Sequence, residues 1–221
     1  MWQLHHFELC PFSRKIRFQC AEKGIAVELL TERPWERRDG FMELNPAGQT
    51  PVLRDGATVF ADSGAIAEYL EETVERTPLL RSGAAERAET RRVIAWFEGK
   101  FYGEVVVPLL AERMFKRLIE RAAPDARVVR GAAKAAEAHL DYLDFLLERR
   151  RWLSGPAFGL ADVAAAAQVS VADYLGGLDW DGHDASRQWY SALKSRPTFR
   201  PLLAERMEGV PPPKHYDKLD W

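Results

Sequence analysis

The spacing of apolar residues changes along this chain, and the changes mark its elements. Trp2 to Leu9 is a short, apolar, aromatic-rich run, the pattern of a buried strand. From Phe12 the period lengthens: Phe12, Ile16, Cys20 and Lys23 share one helical face, and Gly24 stops the helix as a C-terminal cap does. Ile25 to Leu30 reads as a second strand. Strand, helix and strand within about thirty residues is the size of a βαβ unit, so the two strands are expected to pair in parallel through a right-handed crossover.

Thr31 to Leu44 is charged and has no clear period, with Trp35 the odd apolar residue among Glu32, Arg33, Glu36, Arg37 and Arg38. The turn cluster Asn45-Pro46-Ala47-Gly48 follows. Two β-prone runs, Gln49 to Arg54 and Ala57 to Phe60, then flank Asp55-Gly56, a hairpin signal. Pro51 has no N–H to give a ladder, which puts it at a sheet edge or gives it a cis bond in a tight turn. Asp62-Ser63 caps a helix whose buried face carries Ile66, Tyr69, Leu70 and Val74. Residues 1–76 therefore predict a four-stranded mixed sheet with helices packed on it.

Residues 77–83, containing Thr77-Pro78 and Ser82-Gly83, read as a linker, and beyond them no segment reads as strand. A helix from Ala84 to Phe101 is expected to continue, with a break, towards Pro108. Val128 to Leu147 carries apolar residues at helical spacing: Val129, Ala132, Ala136, Leu140, Leu143 and Leu147. Leu160 to Leu175 is alanine-rich and apolar nearly all round, the signature of a central buried helix. Shorter helices are expected at Ala185 to Ser195 and at Pro197 to Met207, with Pro197 in the first turn. An all-helical domain thus spans residues 84–207. The tail, residues 208–221, contains Pro211-Pro212-Pro213 and is neither regular helix nor strand.

Composition narrows the function class. A chain of 221 residues, 47% apolar, suits a soluble protein whose core needs no disulfide or metal staple. Lys+Arg 31 against Asp+Glu 33 leaves a net charge of −2, which argues against nucleic acid, or a membrane surface, held by bulk charge. No apolar run reaches membrane-spanning length. His5, His6 and Glu8 interrupt the N-terminal run where a secretory signal would stay apolar, so a cytoplasmic location is expected.

The two cysteines, Cys10 and Cys20, signal no disulfide framework. Cys10 opens Cys10-Pro11-Phe12-Ser13-Arg14-Lys15, a strand-to-helix turn. There the positive end of a helix, with Arg14 and Lys15 nearby, would acidify a thiol. The alternative is a small apolar cap over the sheet. Cys20 falls on the buried face and has a core role.

Cys10 to Ser13, Asn45 to Leu53, Asp62 to Leu70 and Gly159-Leu160-Ala161-Asp162, in this order and spacing, resemble the cytosolic glutathione transferases along the whole chain. The resemblance implies a thioredoxin-like α/β domain, an all-α C-terminal domain, and glutathione as cosubstrate or ligand. It makes Cys10 the catalytic position. Cysteine-bearing classes form a mixed disulfide with glutathione there and transfer thiols instead of conjugating electrophiles. Ser13 replaces the second cysteine of a dithiol, which makes any such cycle monothiol.

Carried over residue by residue, the resemblance has Val52, after a cis Pro51, offer its backbone to the cysteinyl unit as an added strand does. Ser63 takes the γ-glutamyl carboxylate at a helix N-terminus, Asp62 lies near the ammonium group, and Gln49 reaches the backbone or glycyl end. Without the family, Pro51 is a turn proline and Asp62-Ser63 a helix cap. Trp96, Phe101 and Tyr102, with Met114, would line a second-substrate pocket or simply the core. Asp162 caps the central helix, incompletely, because Gly159 stands where the family usually has Ser or Thr.

Trp35 to Arg38, Ala95 to Phe101, Arg200 to Ala204 and the tail from Pro212 resemble one branch of that family, the transferase-like division proteins of alphaproteobacteria. This implies a homodimer and a protein partner, the tubulin-like GTPase FtsZ, bound by contact and not by conjugation. Trp35, Tyr216 and Trp221 become candidate partner contacts. Each has a second reading: Trp35 as a cover for the sheet or dimer interface, and the tail aromatics as packing on the helical domain.

Overall fold

Strand β1 (Trp2–His6) leads through helix α1 (Pro11–Glu22) to strand β2 (Val27–Thr31), which lies parallel to it with Leu4 opposite Leu29. This is the expected crossover, with β2 starting two residues later than its apolar pattern. The computed structural model describes residues 1–219, and Met1–Leu79 forms the first of two units. The charged stretch that lacked a period holds a single 3-10 turn, Pro34–Glu36, and the short helix α2 (Asp39–Leu44).

Strands β3 (Val52–Asp55) and β4 (Thr58–Ala61) form the predicted hairpin, with Gly56 at φ 61° in the turn. The strand order is β2-β1-β3-β4, with β3 antiparallel to both of its neighbours. The mixed four-stranded sheet expected from the sequence is therefore present. Pro51 heads an interior strand instead of an edge, and the Thr50–Pro51 bond is cis, the second of the two arrangements the sequence allowed.

Helix α3 (Ser63–Thr73) packs against α1. Leu4, Ile16, Phe18, Leu53, Ile66 and Leu70 are fully buried, and each large apolar side chain contributes about 1.5–3 kcal/mol. Lys23 shows why a cation stands on the buried face of α1. It is fully buried, and its ammonium donates to the carbonyls of Val74, Arg76 and Thr77 at 2.9, 3.4 and 3.3 Å while pairing with Glu71 at 3.2 Å. Carbonyls at a helix C-terminus lack internal partners, and this ammonium supplies one.

The unit from Leu80 onward has only helices among its named elements. Helix α4 (Ala84–Ala95) runs on through two stretches of wider, i to i+5 turns, Trp96–Val106 and Leu110–Glu120, on either side of the short α5 (Val107–Leu109). The break expected on the way to Pro108 takes the form of this change to wider turns, and the chain stays helical through it. Proline lacks an N–H and crowds the carbonyl four residues back in an α-helix. Wider turns re-space those groups and let the rod continue.

Helix α6 (Ala126–Leu147) buries Ala132, Ala136, Leu140 and Leu143, as its period required. Helix α7 (Leu160–Tyr174) is buried at every position, as an all-round apolar helix must be. After α8 (Asp184–Lys194) comes α9 (Arg200–Ala204), much shorter than the expected Pro197 to Met207. Pro201, not Pro197, occupies its first turn. The helix ends early because Glu205 is extended and the Met207 N–H donates to the Tyr174 hydroxyl at 2.9 Å instead of to a helical carbonyl. No helix among the described residues is long and apolar enough to cross a membrane.

Asp162 fixes the start of α7. Its carboxylate accepts from the Gly159 N–H at 3.1 Å, closing one half of a cap, while glycine has no side chain for the other half. Donors from elsewhere complete it: the Leu153 N–H at 3.0 Å and Trp189 Nε1 at 2.9 Å. Burial pushes this carboxyl from 3.8 up to about 6. The native state thus holds the proton more tightly than the unfolded chain, so this contribution is complete in acid and is lost as pH rises through about 6. Asp162→Ala should lower unfolding stability by about 3 kcal/mol in a urea titration, and a loss below about 1 kcal/mol would contradict this role. Asp162→Asn should flatten the fall in stability between pH 3.8 and about 6.

Candidate functional site

The register of β3 assembles the site. Val52 stands opposite His5 of β1 on one side and Ala61 of β4 on the other. Extending both registers two steps back from Val52 sets Pro51 and Thr50 beside His6 and Phe7, where the chain leaves β1, and beside Asp62 and Ser63 at the head of α3.

Cys10 is the N-cap of α1, half-buried, with Pro11 in the first turn. The Ser13 N–H donates to its Sγ at 3.4 Å, and the thiol donates to the Thr50 carbonyl at 3.4 Å. The Ser13 hydroxyl turns instead to the Phe7 N–H, at 3.5 Å. Arg14, expected beside the thiol, is fully buried and sends Nε back to the Glu8 carbonyl at 2.8 Å, which fixes the loop before the cysteine.

At the other wall, Asp62 caps α3 from a left-handed conformation, φ 75°. Its Oδ1 accepts from the N–H groups of Gly64 and Ala65 at 2.7 and 3.0 Å. The second carboxylate oxygen of this exposed residue makes no hydrogen bond among the described residues. Neither does the hydroxyl of Ser63, although that residue is only 6% exposed. Gln49 is exposed, and its carbonyl accepts from Asn45 Nδ2 at 2.8 Å, which pins the loop that carries it.

The expectation for Val52 is corrected. It is fully buried in an interior strand, with paired strands on both sides, so its N–H and C=O face protein and not a ligand. The backbone group that does face the cysteine is the Thr50 carbonyl, two residues earlier. The missed signal was the position before the proline: a residue just outside an interior strand keeps a carbonyl that no ladder uses.

The glutathione S-transferase N-terminal domain model matches residues 4–79. Glutathione S-transferase 3 of Zea mays is 30% identical, over 96% of this chain and 96% of its own. The chain belongs to the glutathione S-transferase family. FtsZ-localized protein A of Caulobacter vibrioides is 45% identical over 99% of this chain and 97% of its own. The crystal structure of a glutathione S-transferase from Rhodospirillum rubrum F11 superposes with a TM-score of 0.97 at 43% identity, covering 100% of both chains.

Within this family member, the residues expected around a second substrate take different places. Phe101 is 1% exposed and packs edge-on to His139 at 5.2 Å, so it belongs to the core, the second of its two expected places. Trp96 is half-buried, lies tilted by 35° against Tyr142 with ring centroids 4.2 Å apart, and donates from Nε1 to His139 Nδ1 at 3.1 Å. Tyr102 is half-buried. Because an indole can only donate, His139 carries its proton on Nε2, which donates to Glu104 at 3.0 Å. Burial lowers the His139 pKa, in keeping with a neutral ring.

Trp35 is half-buried, edge-on to Phe7 at 5.0 Å. Tyr216, expected among the partner contacts, is fully buried and meets Tyr174 edge-on at 5.0 Å, so its ring is closed to a partner. Trp221 lies outside the described residues. Among the described residues, no group of three or more His, Cys, Asp or Glu is placed to hold a metal ion.

The two cysteines differ sharply. Cys20 is 1% exposed, and burial pushes its thiol up to about 12. Iodoacetamide applied to the native protein should therefore label Cys10 while leaving Cys20 unmodified until the chain is unfolded, as read by peptide mass spectrometry. Equal labelling of both would contradict these placements.

Proposed function

We propose that this chain binds glutathione at the face formed by Cys10, Thr50, Pro51 and Ser63, and passes it between thiols through Cys10. The observation that carries the reading is the thiol held between the Ser13 amide and the Thr50 carbonyl, in a site where the hydroxyl of Ser63, a buried residue, makes no hydrogen bond among the described residues. Ser63, at the positive end of α3, takes the γ-glutamyl carboxylate. The spare oxygen of Asp62 takes the ammonium group. Thr50 meets the cysteinyl unit, and Gln49 the backbone or glycyl end.

In the reaction, the Cys10 thiolate attacks the glutathionyl sulfur of a mixed disulfide. A Cys10–glutathione bond forms as the substrate thiolate leaves and takes a proton from solvent. A second glutathione thiolate attacks that same glutathionyl sulfur, releasing glutathione disulfide and restoring Cys10. The electrons balance: one mixed disulfide is reduced while two glutathiones become one disulfide. Ser13 cannot resolve the intermediate, and buried Cys20 cannot reach it. The same site would also present glutathione to an electrophile for conjugation.

The 45% identity to FtsZ-localized protein A, over nearly all of both chains, favours a second role on the same fold. In that role a homodimer contacts FtsZ, with half-exposed Trp35 as a contact. Both roles place the chain in the cytoplasm, where thiols stay reduced.

Calorimetry should show saturable glutathione binding, weakened about tenfold or more by Ser63→Ala, the cost of one lost hydrogen bond to a charged group. No heat at millimolar glutathione would exclude the site. Cys10→Ala should abolish turnover of a glutathionylated peptide, while unchanged turnover would remove Cys10 from the mechanism. Co-sedimentation with FtsZ polymers should fall at least severalfold in Trp35→Ala, and an unchanged yield would take Trp35 out of the contact.

A further inference from the structure

A cavity of about 440 Å³ lies within the helical unit, and the glutathione reading makes no use of it. One side is the helix ending at Glu120, which presents Arg113 and Arg117 one turn apart; the other is the tail segment Val210–Pro213, with Tyr174 and Leu175 from the end of α7 between them. The volume falls in the range of small-molecule sites, and the walls are mostly apolar with a few polar groups, as such sites are.

The tail wall is tied down on both sides of its prolines. The Tyr174 hydroxyl donates to the Val210 carbonyl at 2.8 Å. Beyond the prolines, His215 Nε2 meets Asp173 at 3.0 Å, Tyr216 is buried, and Lys194 donates to the Lys218 carbonyl at 3.2 Å. Gly176, at φ +64°, lets the two walls approach. A Cβ there would stand 2.7 Å from the Arg113 guanidinium and 3.2 Å from Pro213 Cγ.

Charge in the cavity is unbalanced. Arg113 Nη1 donates to the carbonyls of Leu175 and Gly176, which are neutral acceptors. Arg117 is exposed and makes no hydrogen bond or ion pair among the described residues. The one acid in the lining, Glu112, already accepts from Lys116 at 3.0 Å and from the Asp125 N–H at 2.6 Å. Among the described residues, the two guanidinium groups therefore line an otherwise mostly apolar cavity with no carboxylate paired to either. A guanidinium binds a carboxylate in a fork of two parallel hydrogen bonds.

We propose that this cavity binds a small organic carboxylate with an apolar body, Arg117 holding the carboxylate and Pro211–Pro213 and Leu175 the body. Every residue in the proposal lies beyond residue 79, so it stands or falls separately from the glutathione site. The probes are naphthoate and its uncharged amide, titrated into the full chain by calorimetry.

Saturable binding of naphthoate is expected, weakened at least about tenfold in the amide and in Arg117→Gln, which removes an exposed side chain with no described partner and so leaves the fold intact. Ser63→Ala and saturating glutathione should leave it unchanged. No saturable binding at millimolar naphthoate would overturn the proposal. So would equal binding of acid and amide, an indifferent Arg117→Gln, or loss in Ser63→Ala, which would put the probe in the glutathione site.

Discussion

The register of β3 is the constraint on which the rest of this molecule's chemistry depends. An interior strand is held from both sides, and Val52 and Leu53 in it are fully buried. A slip of one residue would turn each side chain to the opposite face and move the chain about 3.3 Å along the strand. The Cys10 Sγ to Thr50 carbonyl contact is 3.4 Å long, so no such slip leaves it intact. Core packing of Leu4, Leu53, Ile66 and Leu70 thus positions a cysteine against a carbonyl and a serine that both lie forty or more residues further along the chain.

The helical unit uses buried polar groups to the same end. Asp162 and Asp173 are both fully buried, and each gathers donors from beyond its own helix: Leu153 and Trp189 in the first case, beside the local Gly159, and Trp180 and His215 in the second. A buried carboxylate without donors would cost several kcal/mol, so each acid enforces one arrangement of the chain around it. Asp162 enforces the start of α7, and Asp173 the course of the tail that walls the Arg113–Arg117 cavity.

What was legible in the sequence is what local pattern decides. The βαβ crossover, the Asp-Gly hairpin, the helix cap at Asp62, and the buried α7 all follow from period, turn residues and capping chemistry. What the sequence did not reveal was settled by distant contacts. Val52 was read as a ligand-facing residue because nothing local says that β3 is flanked on both sides. The break expected towards Pro108 is a change to wider turns, which no local pattern of apolar residues announces. Helix α9 is short because the Tyr174 hydroxyl competes for the Met207 amide, and Phe101 and Tyr216 are core because helices far off in sequence cover them. Fold membership, shared with a maize transferase and with an FtsZ-localized protein, leaves function to the site.

Amide hydrogen exchange of the full chain, with and without saturating glutathione, tests the central claim most directly: three separated segments form one ligand face. The expected result is slowed exchange in residues 10–14, 49–50 and 63–65 together, with β2 unchanged. Slowing in only one of the three segments, or in none, would contradict it.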